Sequence, residues 1–115
     1  MKNFILAIGS VLIAGFIIKT NTTMETTTKK VNVWDTYVTK KDGQVMHFDI
    51  LVPVEITDTN AIYAFGKDYL RTKGQKGQEL TSKQCRLCHI ERLRPEWETA
   101  IDEKGYFIIE MEGCN

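Results

Sequence analysis

The alternation of apolar and polar residues predicts a β-hairpin over residues 31–52. Both arms are rich in β-branched and aromatic side chains, and Asp42-Gly43 separates them. A type I turn over residues 40–43, with Gly43 in the left-handed region, leaves a loop of three residues. The turn therefore decides which residues of the two strands lie opposite each other.

In this register one face of the hairpin is apolar and the other carries polar side chains. Tyr37 lies opposite His47, and Asp35 lies opposite Asp49. The core face holds six apolar residues: Trp34, Val38, Met46, Phe48, Ile50 and Val52. A shift of one residue would turn Trp34 away from the others, so the hydrophobic pattern supports this register.

Two helices are predicted after the hairpin. The first follows an N-cap at Asp58 and ends before Gly74. Its apolar side chains recur with the helical period at Ile62, Phe65, Tyr69 and Leu70. The second begins with Pro95 and ends at Gly105. Residues 106–111 then form a last strand.

The segment between the helices, LTSKQCRLCHIERL, has no clear period. It could be a strand, a short helical turn or a knuckle. We expect residues 31–115 to form one α+β domain with the order ββα(β)αβ, a small mixed sheet of three to four strands with two helices packed on it.

An apolar segment precedes this domain. Residues 4–18 carry no charge, and at ~1.5 Å per residue they span about 22 Å of helix, short of a ~30 Å hydrocarbon core. Residues 1–20 suit a signal anchor, residues 21–30 are a Thr-rich linker, and a translation start at Met24 would remove the segment. We expect a cytoplasmic domain, with a membrane anchor only if residues 4–18 are translated.

The charge balance argues against one class of partner. Fifteen basic and fifteen acidic residues give a formal net charge of zero. No basic stripe with interleaved aromatic residues is visible, so we expect no nucleic-acid partner.

Three segments resemble a known bacterial family. They are WDTYVTKKDGQVMHFDILV, the run CRLCH at residues 85–89, and GYFIIEMEGC near the carboxyl terminus. As a set they are similar to the domain of unknown function 2024, over about residues 31–115. The resemblance implies a small mixed α+β domain, and it implies no activity, substrate or cofactor. The N-terminal extension departs from that pattern.

The thiols and imidazoles form the first group with chemical potential. Cys85, Cys88, His89 and Cys114 together offer a ligand set for tetrahedral zinc. Thiolates must approach within about 2.3 Å of one ion, which requires a turn between Cys85 and Cys88. On a regular strand the two side chains would point to opposite faces, and the cysteines would be ordinary small core residues.

The C-x-x-C-H motif also admits two other functions. In a thiol-redox protein, Cys85 would be the nucleophile and Cys88 the resolving thiol, with Thr81 and Ser82 capping a short helix. In a c-type haem protein, the two thiols would hold haem and His89 would be its axial ligand. Haem attachment would require export and a cavity that consumes much of the core.

The second group lies on the polar face of the hairpin, at Asp35, Tyr37, His47 and Asp49. Two carboxylates opposite each other repel, so their presence indicates a compensating cation or a function. His47 could act there as a general acid–base group, or the face could be plain solvated surface. With no nucleophile setting or phosphate loop in the sequence, we expect a binding module without catalytic residues, with a metal at the thiol–imidazole set.

Overall fold

The structure, a computed structural model, describes residues 29–115. The elements are β1 (Lys30–Thr39), β2 (Val45–Pro53), α1 (Thr59–Thr72), β3 (Cys85–Arg92), α2 (Pro95–Lys104) and β4 (Phe107–Glu112). The strands form one antiparallel sheet in the order β3-β1-β2-β4. The predicted α+β class and element order are confirmed, and the undecided segment before α2 forms a strand. The sheet was predicted to be mixed, but all three strand pairings within residues 29–115 are antiparallel.

The apolar segment at residues 4–18 lies outside the described residues, as does most of the Thr-rich linker. Within residues 29–115, neither helix is long and apolar enough to cross a membrane.

The β1–β2 hairpin has the predicted register. Tyr37 lies opposite His47, and Asp35 lies opposite Asp49. Gly43 closes the loop with a φ of 92°, a conformation that glycine adopts without the steric cost a Cβ would bring.

Local capping explains where both helices begin and end. The Asp58 carboxylate accepts a hydrogen bond from the backbone N–H of Asn60 at 3.0 Å, which satisfies one free donor at the start of α1. Gly74 follows the end of α1 with a φ of 73°. Pro95 opens α2, and Gly105 ends it in the left-handed region.

The two helices pack on opposite faces of the sheet, which the sequence had not indicated. Helix α1 covers one face of the sheet, here called the α1 face. This face is the predicted core, and Phe48 and Ile50 are fully buried there. Helix α2 covers one end of the opposite face, here called the α2 face. Trp97 and Ile101 of this helix pack against the sheet there. Their partners in the strands are Val31, Val33 and Leu51. Since the strands are apolar on both faces at this end, both faces must be buried.

Candidate metal centre

The rest of the α2 face carries polar side chains that α2 does not cover. Strand alternation places Asp35 and Tyr37 of β1 there, beside His47 and Asp49 of β2. Phe48, between the last two, is fully buried on the α1 face. The core therefore anchors the backbone that presents these groups.

Three of these side chains converge. The donor atoms of Asp35, His47 and Asp49, here called the Asp–His–Asp cluster, all lie within 4.8 Å of one another. His47 Nε2 is 2.5 Å from Asp35 Oδ1. The Tyr37 ring stacks on the imidazole with centroids 4.1 Å apart and an angle of 11°. The imidazole is thus held between an aromatic ring and a carboxylate.

Two carboxylates meet in this cluster. Burial raises the pKa of the Asp49 carboxyl, and the hydrogen bond to Asp35 and the charge of that residue raise it further. The charges of His47 and His89 act in the opposite direction. Among residues 29–115, no lysine or arginine forms an ion pair with either carboxylate. A cation bound here would relieve the repulsion.

Asp49→Asn should therefore stabilise the metal-free protein at neutral pH. The folded state holds a proton on this carboxyl more tightly than the unfolded chain does, so its ionisation costs stability above the folded-state pKa. A neutral amide removes that cost. We expect the midpoint of thermal unfolding to rise by a few degrees at pH 7, and the gain to vanish below about pH 4. Asp102→Asn, at an exposed position of α2, is the control and should change little. A lower midpoint for Asp49→Asn at pH 7 would contradict this electrostatic description.

The structure does not gather the four ligands predicted for zinc. Cys85 is 1% exposed on the α1 face, whereas Cys88 in the same strand is exposed. His89 lies on the α2 face, with its Nε2 2.6 Å from Glu91 Oε2. Cys114 is buried beyond β4, at the opposite edge of the sheet from β3. Within residues 29–115, three close donors of metal-binding type meet only in the Asp–His–Asp cluster. A metal at the thiol–imidazole set stays a prediction that these positions do not support.

The two alternatives for the C-x-x-C-H motif gain no support either. Burial raises the pKa of the Cys85 thiol, whereas a nucleophilic cysteine needs a lowered pKa and access to solvent. The backbone from Thr81 forms one turn, in which Cys85 donates its N–H to the Thr81 carbonyl, but a strand follows instead of a helix. Haem attachment would need Cys85 and His89 directed at one group, and they lie on opposite faces.

Sequence reasoning missed two residues that flank the cluster. Arg86 of β3 lies opposite Asp35, and Glu112 of β4 lies opposite His47. Both pairings follow register shifts, between residues 33 and 34 of β1 and between residues 47 and 48 of β2. No local sequence pattern predicts such bulges, because they depend on pairing between distant segments.

Comparisons with known proteins give a family model and a similar solved structure, and neither supplies an activity. The family model for the domain of unknown function DUF2024 matches residues 29–111. The chain is similar to protein NE1680 from Nitrosomonas europaea, whose structure was determined by NMR. The two share 44% sequence identity with a TM-score of 0.65, over 75% of this chain and 99% of that chain. No curated protein matches the sequence.

Proposed function

This chain belongs to the DUF2024 family, whose description assigns no activity, and from its site we propose that the domain binds one divalent transition-metal ion through the Asp–His–Asp cluster. The observation that carries the proposal is the approach of one imidazole and two carboxylates to within 4.8 Å on adjacent strands. Donors that share one zinc ion at about 2.0–2.2 Å lie roughly 3–3.5 Å apart. Small side-chain rotations bridge that difference.

The donor set favours a particular class of metal. Imidazole binds zinc, iron and nickel well, and carboxylates extend the range towards manganese. Three protein ligands leave a fourth position on a tetrahedral ion for water or a small ligand. The exposed side of the cluster, where the His47 side chain keeps 21% of its surface accessible, is where such a ligand would enter.

A second function has one observation in its favour. The contact of 2.5 Å between His47 and Asp35 has the form of a base oriented by a carboxylate. In that case His47 would accept a proton from a substrate, and no metal would be required.

Zinc titration of the chelator-stripped, full-length chain tests the proposal. We expect one zinc ion per chain by calorimetry, confirmed by elemental analysis after dialysis. Asp35→Asn should lose this binding, whereas a double variant of exposed residues in β3, Cys88→Ser with His89→Ala, should retain it. Wild-type protein that binds no zinc, or binding lost in the β3 variant and kept in Asp35→Asn, would reject the proposed site.

A further inference from the structure

Strand β3 has an unpaired outer edge. It is the terminal strand of the sheet, and within residues 29–115 no strand pairs with its outer side. Two hydrogen bonds fix the direction of its backbone, because Tyr37 donates its N–H to the Gln84 carbonyl and Leu93 donates to Lys29, both at 2.9 Å. The backbone N–H and C=O groups of odd-numbered residues in β1 therefore point towards β3.

The backbone groups that point outward follow from this alternation. Arg86 lies opposite Asp35, an odd-numbered residue, and so directs its N–H and C=O towards β1. Leu87 and Ile90 lie opposite even-numbered residues of β1. Their N–H and C=O groups therefore point away from β1, to the unpaired edge of the sheet. An unpaired row of this kind is a template for another strand.

The side chains of β3 are arranged symmetrically about its middle. Leu87 and Ile90 lie on the α1 face and are 51% and 59% exposed. Arg86 and Glu91, one position further out at each end, lie on the α2 face. The midpoint of both pairs falls between Cys88 and His89.

We propose that two copies of this chain pair through β3, antiparallel about a two-fold axis between Cys88 and His89, so that two four-stranded sheets become one of eight strands. Leu87 of each copy then lies opposite Ile90 of the other. The same register sets Arg86 opposite Glu91 of the second copy. Each pairing occurs twice.

This register satisfies two requirements of antiparallel pairing. Residues paired across antiparallel strands must share a face, and both pairs do. In a regular strand, residues 87 and 90 would point to opposite faces. The bulge opposite Val33 and Trp34 adds one residue between them, so both side chains lie on the same face. Leu87 and Ile90 also direct their backbone groups outward, as a hydrogen-bonded pair requires.

The charges of β3 also match across this two-fold axis. Arg86 Nε donates a hydrogen bond to the Ser82 carbonyl at 3.3 Å. Its guanidinium forms no ion pair with a carboxylate of residues 29–115. In the dimer the carboxylate comes from Glu91 of the second copy, which in its own chain contacts His89 at 2.6 Å and Arg94 at 3.6 Å. Two such pairs flank four apolar side chains at the junction, so the surface is complementary to itself, as an interface with two-fold symmetry must be.

Charge reversal tests this arrangement through sedimentation velocity of the full-length chain. We expect wild-type dimers, and dimerisation weakened at least ~10-fold by Arg86→Glu or by Glu91→Arg, since each change places like charges opposite each other twice. Mixing the two variants should restore dimers, because both junctions of the mixed dimer then pair glutamate with arginine. The double variant should also dimerise.

A second pair of variants separates loss of the dimer from loss of the fold. Leu87→Lys should also weaken the dimer, whereas Met111→Lys should not, since Met111 is equally exposed, at 54%, on β4 at the opposite edge. Restoration on mixing is itself evidence that both single variants fold. Wild-type protein that is monomeric at 100 μM, or single variants that dissociate without recovery on mixing, would overturn the proposal.

Discussion

Replacing His47 with alanine should weaken zinc binding by at least ~100-fold. The change removes the nitrogen donor of the Asp–His–Asp cluster and leaves two carboxylates facing each other on neighbouring strands. Loss of a residue that merely orients a metal ligand typically costs 10–100-fold in affinity, and loss of a direct ligand exceeds that. Calorimetric titration of the metal-free variant, in the buffer used for the wild type, measures the effect.

The chain offers a matched control for this experiment. His89 is the other histidine of the chain, and its Nε2 contacts a carboxylate, that of Glu91, at 2.6 Å. It differs from His47 in having no third donor of metal-binding type close by. We expect His89→Ala to bind zinc within about 3-fold of the wild type, which is less than 1 kcal/mol. An equal loss in both variants would show that the cluster is not the binding site.

Truncation of the core beneath the site should have the largest effect on stability. Phe48 is fully buried, and its ring lies 4.7 Å from that of Tyr69, which joins β2 to α1. Phe48→Ala should lower the free energy of unfolding by about 3–5 kcal/mol, because it removes a large apolar side chain and leaves a cavity. Urea unfolding followed by circular dichroism measures this difference, with two-state behaviour checked by a second probe.

The control for this prediction lies in the same strand. Val45 begins β2 and is 52% exposed. Val45→Ala should change the free energy of unfolding by less than about 0.5 kcal/mol, as surface substitutions usually do. If both variants lost similar stability, the core would not be where we place it.

The hairpin was predictable from sequence because its determinants are local. A turn ending in Gly43 sets the loop length, and the alternating pattern of the two arms allows one register. The same register correctly brought Asp35 and His47 to one face. The Asp–His–Asp geometry thus follows from short-range information.

Strand β3 was not predictable because its determinants are distant. Cys85 is its one buried residue, so no alternation is visible along it, and it forms through pairing with β1 about fifty residues away. The C-x-x-C spacing suggested a metal knuckle, but an extended backbone directs the thiols of Cys85 and Cys88 to different environments. The side of the sheet that α2 occupies was likewise undetermined, since either face can accept an amphipathic helix.

The Asp–His–Asp cluster also breaks a local rule of stability. A fold selected only for stability would not place Asp49 opposite another carboxylate, with one imidazole beside the pair. Local rules of this kind are broken most often at functional sites. The raised pKa of Asp49 and the proposed cation are therefore two consequences of one arrangement.

X-ray absorption at the zinc edge, on the full-length chain with one equivalent of zinc, tests the metal centre most directly. Our description predicts a first shell of nitrogen and oxygen alone at about 2.0–2.2 Å, with the outer-shell signature of one imidazole. A sulfur shell at about 2.3 Å would contradict it, because the ion would then be bound by the cysteines and not by Asp35, His47 and Asp49.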